Sequence, residues 1–581
     1  MLVTAALAAL CLPALVPDPE DLVGTWRVDL RVFPDSVPYY KQLDIRTALG
    51  IRLTGTFYDS ELEQTIVTPH WNGLSFSFVT HDASTEYRST GVLRDGRISG
   101  MTHAIERDSL VPWRAIKLYD DPKLTSEQAM EDVVLFRHAL ETIHPGIYRY
   151  TSKPKLDAEF DLLGIAYANG VQQTVFYRDI ALLVAAIGCG HTRAEAPESL
   201  TTYRQSTPTH LPFTFRIIDN RMIIDDVRED ITELRRGDEI TSINGIAVEF
   251  LIKMIAPTMQ VDGNVDSIRT TRLDTAYEYA DTGLEHFLPL SVGWRDDFQL
   301  EVVDENNISR KELVNAITLT QWEQTFAGEP ANFADSISLE LFNETAVLTI
   351  DSFINYRNTV NAAETLKPYF QSITVAGITH LVIDLRNNGG GSGDAVWALA
   401  SYLIEEPLTF RAPLVKNYRF DDALKANMTT WDPAAMSMPD NAFIKLDNGM
   451  YELKPEVTGG VQTLSPHQNR YRGPLTILTG PYNASGTTML VATLDEQLGD
   501  RLKLIGEPTA GNAQGPTAGT LFFLTLPNSG IRVNIPALLE RTPLNKPITS
   551  VGVVPDIMIK PTIDDFRAGR DPVLERAVRE W

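Results

Sequence analysis

Alternation of apolar and polar residues dominates the first hundred positions of the chain. The segments 74–79 and 97–101 are short β-prone runs, and Asn72–Gly73 and Asp95–Gly96 punctuate them. Such pairs favour type I′ hairpin turns, in which both central residues take positive φ. The spacing predicts a small antiparallel β-domain over residues 17–118. The period changes from residue 119. Val133, Phe136, Leu140 and Ile143 recur at helical intervals, behind an acidic start at Ser126, Glu127, Glu131 and Asp132, and Pro145 stops the helix. A second helix is predicted over 177–187, so that residues 119–205 form a helical segment. Alternation returns over 206–312, where Phe213–Ile218 and 222–227 flank an Asp219–Asn220 turn. Beyond residue 313 the runs 346–350, 380–385, Leu475–Thr479 and 502–505, rich in Val, Ile and Leu, alternate with helical stretches. That order predicts an α/β layer with buried strands over 313–581.

A chain of 581 residues exceeds what one hydrophobic core supports and divides into several domains. Its composition, 43% hydrophobic and 22% charged, is that of a folded protein. The net charge of −25 repels phosphate backbones and argues against nucleic-acid partners. Residues 1–16 are uncharged and rich in Ala and Leu as far as Val16, the length of a signal-peptide core and too short for a membrane span. A positive stretch ahead of it is missing, yet export to the periplasm or extracellular space is the expectation. No later segment reaches 18 apolar residues, so no integral span is expected. Removal of the leader takes Cys11 with it and leaves Cys189 without an intrachain disulfide partner. No His-Glu-x-x-His and no cysteine cluster occurs, and no metal or other cofactor is expected.

Two strand-to-helix junctions carry candidate chemistry. At the first, Asp384-Leu385-Arg386-Asn387-Asn388-Gly389-Gly390-Gly391 precedes a helix with Val396, Leu399, Ala400 and Leu403 on one face. Glycines there let amide N–H groups converge on an anion, and no P-loop Lys-Ser/Thr follows to make that anion a phosphate. At the second, Gly480-Pro481-Tyr482-Asn483-Ala484-Ser485-Gly486 lies between a strand and a helix. The helix dipole favours a nascent alkoxide at Ser485, and the Gly486 N–H is free of a Cβ beside it. A serine in that place is also what an ordinary helix N-cap looks like. In the module before these junctions, Leu234-Arg235-Arg236-Gly237-Asp238-Glu239-Ile240 and Asn244–Gly245 resemble the PDZ pattern, whose modules take up a peptide C-terminus as an added strand.

Together the junctions resemble the tail-specific (C-terminal-processing) serine peptidase family. The likeness extends through Gly506-Glu507-Pro508-Thr509-Ala510-Gly511, Leu526-Pro527-Asn528-Ser529-Gly530, Val554-Pro555-Asp556-Ile557 and Asp571-Pro572-Val573-Leu574. Upstream, His144-Pro145-Gly146-Ile147-Tyr148 and Gly188-Cys189-Gly190-His191-Thr192 fit as well. The resemblance implies a multidomain α/β protein. It would have a crotonase-like catalytic core, a PDZ-like module, a helical segment and an N-terminal β-domain whose Gly24-Thr25-Trp26 start resembles lipocalin-like barrels. It also implies a peptide or unfolded-protein substrate and Ser485 as nucleophile. Gly390 or Gly391 would complete the oxyanion hole with Gly486. Many members place a lysine base where this chain has Asn512. The tricorn-like branch uses a histidine, which His191 matches, and an imidazole is a suitable base near neutrality. In that branch an acid follows the serine by several dozen residues, which nominates Glu540 to orient His191. Cys189 stands where the family often has Asp. Two other readings share these residues: a carrier or peptide-binding protein, as the interphotoreceptor retinoid-binding modules are, and a small-molecule esterase or amidase. Oligomeric state is not legible.

Overall fold

The computed structural model describes residues 22–579, apart from 30–39, 49–51, 59–63, 72–74, 82–84, 95–96, 276–279, 329–330, 459–462 and 547–551. The leader, Cys11 and the two Asx–Gly turns predicted near the start lie outside the described residues.

The first region is a nine-stranded antiparallel sheet, with Gly24–Asp29 and Ser109–Lys117 adjacent at its middle. Trp26, Ile45, Phe76, Ile98 and Trp113 form its core. Gly100 is required there, because a Cβ would come within 2.5 Å of the Trp113 ring. The sheet is docked on the rest of the chain by arginines. Arg97 donates to the Asp296 carbonyl at 2.6 Å, Arg27 lies 3.7 Å from the Asp296 carboxylate, and Arg114 pairs with Asp297.

Helix Ser126–Ile143 opens on Thr125, whose hydroxyl and the Gln128 side chain form a capping box, and ends before Pro145 as its sequence requires. The second predicted helix runs over Gln173–Ile187 and stops at Gly188, which is left-handed. Between them stands a helix the sequence pattern did not reveal, Lys153–Ala166. It buries only Leu156 and Phe160, too few to write a periodic stripe.

The next module is a sheet in the order Phe213–Ile218, Arg221–Val227, Glu239–Ile243, Asp297–Val303, Ser309–Asn315. Its first hairpin turns at Asp219 and Asn220, with φ of 52° and 59°, as the sequence indicated. Asn244 and Gly245 likewise take positive φ and lead into helix Val248–Ile255, which buries Val248, Leu251, Ile252 and Ile255.

The C-terminal region contains two large sheets and a two-stranded ladder of Leu408–Thr409 with Thr463–Leu464, rather than the single layer expected from sequence. The first runs Ile337–Phe342, Thr345–Ile350, His380–Asp384, Leu475–Thr479, Leu502–Gly506, Ile557–Met558 and is parallel after its first pair. Its central strand Leu475–Thr479 is wholly buried and His380–Asp384 is buried up to Ile383, which explains their apolar runs. The second is antiparallel and runs Met428–Thr430, Thr517–Thr525, Arg532–Leu539, Leu414–Val415, Tyr451–Leu453, Phe443–Lys445. Strand Arg193–Glu195 from the helical region also pairs with Arg532–Leu539. Five of these seven strands have two or three residues, below the length at which alternation is readable.

Candidate active site

Ser485 begins helix Ser485–Leu498, straight after strand Leu475–Thr479 and a tight turn. It is not the cap: Ala484 holds the N-cap position and makes no side-chain capping bond. Ser485 has φ of 47°. A non-glycine residue in that region costs about 1–3 kcal/mol and persists where surrounding structure enforces it. The enforcement is visible. Buried Asn483 donates from Nδ2 to the carbonyls of Leu385 and Asn388, and its Oδ1 accepts from Gly480 N–H at 2.8 Å. Its carbonyl takes the N–H groups of Ala510 and Gly511 at 2.7 and 3.1 Å. Gly511 must be glycine, since a Cβ would sit 2.9 Å from the Ser485 amide nitrogen.

The glycine-rich junction meets this turn directly. Asn388 Oδ1 accepts from Gly390 N–H at 2.9 Å and from the Thr487 hydroxyl at 2.7 Å. The two junctions are thereby stapled by a pair of buried asparagines. A Cβ on Gly390 would stand 2.9 Å from Ser485 Cβ and 3.0 Å from the Gly486 amide nitrogen. Gly390 therefore supplies room, and its own N–H is engaged by Asn388. The Gly391 nitrogen lies 3.9 Å from where a Gly486 Cβ would be, which puts these two backbones side by side.

His191 reaches the same place from far away in sequence. A cavity of about 580 Å³ is lined by Ser485, Ala484 and Gly389 on one side and by Gly190, His191, Arg193 and Glu195 on another. Asp262 holds these walls together: its Oδ1 accepts from Gly190 N–H at 2.9 Å and its Oδ2 from Asn512 N–H at 3.2 Å. Beneath His191, buried His144 accepts at Nδ1 from Gly146 N–H and donates from Nε2 to the Thr192 hydroxyl at 3.0 Å. Burial, with Lys416 nearby, pushes that imidazole down to about 3, so it stays neutral and structural. Cys189 is buried with its thiol toward the Thr517 carbonyl, and burial pushes it up to about 12, unfit for a nucleophile.

Glu540 does not accept from His191 Nδ1, which makes no hydrogen bond. It follows the end of strand Arg532–Leu539, its carboxyl lies beside Gly519, and it is not among the residues that line the cavity. Burial raises its carboxyl above the usual range. Asn512, at the family's lysine position, accepts from Arg149 at 2.9 Å and donates to the Tyr150 hydroxyl.

Sequence reasoning missed several lining residues, and none had a local signal. One row crosses the second sheet: Thr429 pairs with Phe523, Phe523 with Asn534 and Asn534 with Arg193. All four line the cavity, as do Arg532 and Glu195 two places along their strands and Trp431 just past the end of Met428–Thr430. Trp431 is 71% exposed and stacks edge-on against Phe523, 5.2 Å between ring centres. Behind the Ser485 turn, the Tyr482 hydroxyl donates to Asp274 at 3.0 Å and accepts from Arg216 at 3.2 Å, which ties the turn to the Phe213–Ile218 hairpin. Burial raises the Asp274 carboxyl to about 6. Among the described residues, no group of three or more His, Cys, Asp or Glu is placed to hold a metal ion, and no helix is long and apolar enough to cross a membrane.

A serine on a strained strand-to-helix turn, beside paired glycine amides and across a cleft from a histidine, has the architecture of a serine hydrolase. Residues 344–559 match the model of peptidase family S41, and the chain carries a serine-type peptidase of that tail-specific family. Among solved structures it is similar to mature CPAF, with 16% identity and a TM-score of 0.52 over 78% of this chain and 96% of that one. It is also similar to mature CPAF complexed with lactacystin, with 16% identity and a TM-score of 0.53 over 78% and 97%. At these identities the likeness is one of fold. The photosystem II D1 C-terminal processing protease is 15% identical over 75% of this chain and 94% of its own, at a TM-score of 0.34. No curated protein matches the sequence.

Proposed function

We propose that this peptidase is an endopeptidase that cleaves unfolded polypeptide through an acyl-enzyme on Ser485. His191 Nε2 takes the hydroxyl proton as Ser485 Oγ bonds to the scissile carbonyl carbon. The negative charge that moves to the carbonyl oxygen meets the N–H groups of Gly391 and Gly486. Collapse breaks the C–N bond, and the proton passes from His191 to the leaving amine. Water then repeats the sequence and releases the acid. Gly390, nominated with Gly391 as a donor, serves by lacking a Cβ.

The observation that carries this reading is the positive φ of Ser485 on a cavity wall opposite His191. A structural serine has no use for that strain. The core is read as crotonase-like. The module from 206 to 312 is read as PDZ-like and as the part that gathers a substrate tail, supported by its Asn244–Gly245 turn and the amphipathic helix behind it. Export remains part of the proposal, as the place where such substrates are met.

A fluorophosphonate probe tests the nucleophile. The wild type should label at Ser485 and cleave fluorescein-labelled casein, and Ser485→Ala should do neither while keeping its circular dichroism and Tm. A wild type that binds peptide yet never labels would make the protein a carrier. Labelling with turnover of small esters only would make it an esterase.

A further inference from the structure

Among the buried polar atoms that lack a partner, two belong to residues that line the cavity and have complementary chemistry. The first is Nδ1 of His191, which is shut off from solvent and makes no hydrogen bond. For Nε2 to act as a base, the neutral ring must carry its proton on Nδ1, and that N–H needs an acceptor. The second is Oδ1 of Asn534, a residue 5% exposed that lines the same cavity. The orientation of this amide follows from its neighbours. Glu195 accepts from Asn534 Nδ2 at 2.8 Å, from Arg193 at 2.7 Å and from Arg532 Nε at 2.6 Å. A carboxylate takes only donors, so the NH₂ end is fixed toward Glu195 and the oxygen is left without a partner. Burial raises the Glu195 carboxyl, but its hydrogen bond and charge contact with Arg193, then Asn534 and Arg532, hold it below the usual range. Glu195 is thus an anion that anchors the amide. The ladder supplies proximity: Asn534 pairs with Arg193, two residues from His191.

We infer that Asn534, anchored by Glu195, is the residue that orients the catalytic histidine by accepting its Nδ1–H. This rests on the reading of His191 as general base. No hydrogen bond joins the two groups in this structure. It forms as the cleft closes on a peptide, when catalytic hydrogen bonds tighten. The role expected of Glu540 then belongs to an amide backed by a carboxylate, and Asn534 is a positioning residue, in contact with His191 rather than with substrate.

The test is steady-state kinetics on fluorescein-labelled casein from pH 5 to 9, with fluorophosphonate labelling as an independent count of live serines. Asn534→Ala should lower kcat at least about tenfold with KM little changed, less than the 10²–10⁴ that a whole general base contributes. It should also move the acid limb of kcat/KM to lower pH, because an acceptor at Nδ1 favours the protonated ring. Asn534→Asp, which keeps an oxygen in place and adds charge, should retain more activity than the alanine variant and move the limb to higher pH. It carries the test if the alanine variant does not fold. Glu195→Gln, which loosens the anchor, should shift the limb in the alanine direction by a smaller amount. A folded, labelling alanine variant with kcat and limb unmoved overturns the assignment of Asn534 and leaves the Ser485–His191 reading standing. A raised KM with an unmoved limb also overturns it, since Oδ1 would then be serving a substrate amide. A wild type that neither labels nor cleaves overturns the parent reading and this one with it.

Discussion

The two walls of the cleft are built by opposite strategies. The serine wall is local. Strands His380–Asp384 and Leu475–Thr479 are neighbours in one parallel sheet, each runs into its own helix, and Asn388 and Asn483 lock the two turns together. The histidine wall is assembled at long range. Strand Arg193–Glu195 lies against Arg532–Leu539, and Asp262 from a third segment pins Gly190 to Asn512. Backbone strain sits on the first wall, at Ser485. Unmet hydrogen-bonding capacity sits on the second, at His191 and Asn534. In the proposed reaction a hydroxyl must be held in one posture, whereas a base must be free to exchange partners during turnover, and the distribution of strain and unpaired atoms fits that division.

Breaking the long-range wall should have the larger effect. His191→Ala is expected to lower kcat by about 10²–10⁴, the contribution of a general base, and to abolish fluorophosphonate labelling while the Tm changes little. Stopped assays on casein and labelling of the purified variant measure both. Gly390→Ala attacks the local wall. Its φ of 107° is strained for alanine, and the new Cβ would press on Ser485. A loss of about 1–3 kcal/mol in stability is expected, with a fall in kcat/KM of at least about tenfold, because the nucleophile is displaced. Calorimetry and kinetics on the same preparation separate the two losses.

Acid should weaken both walls, by the smallest of these effects. His144 under the histidine wall is held down to about 3, and His380 in the parallel sheet to about 4, each chiefly by burial. The unfolded chain binds their protons near pH 6.5, so it holds more protons than the native state below that pH. Their contribution to stability is present above about pH 6.5 and is lost as the pH falls toward 4. The urea midpoint should therefore drop between pH 7 and pH 5. His144→Gln and His380→Gln should each flatten that drop, and an unchanged slope in both would remove these histidines from the account.

The same division decides what could be read from sequence. Ser485 and the glycines around it were legible, because a buried parallel strand, a turn and a helix write themselves in consecutive residues. So was the Asp219–Asn220 hairpin, where turn chemistry is dictated by positive φ. The family resemblance supplied His191. What no local signal announced was the row Thr429, Phe523, Asn534 and Arg193. These positions become neighbours only through pairings between strands as short as three residues. Glu195 looked like any exposed-strand glutamate, and Asp262 like a loop aspartate. Helix Lys153–Ala166 escaped because two buried side chains do not make a period.

Translation delivers the chain from its amino end, and the ladder between Arg193–Glu195 and Arg532–Leu539 imposes an order on events. The short strand carrying Arg193 waits through more than half of synthesis for the partner that completes its sheet. Pairings so distant in sequence form late, after the local units have closed. The Ser485 turn can form on the ribosome while the segment that carries His191 still lacks its partner strand. On the proposed reaction, Ser485 and His191 are then brought together only when nearly the whole polypeptide exists.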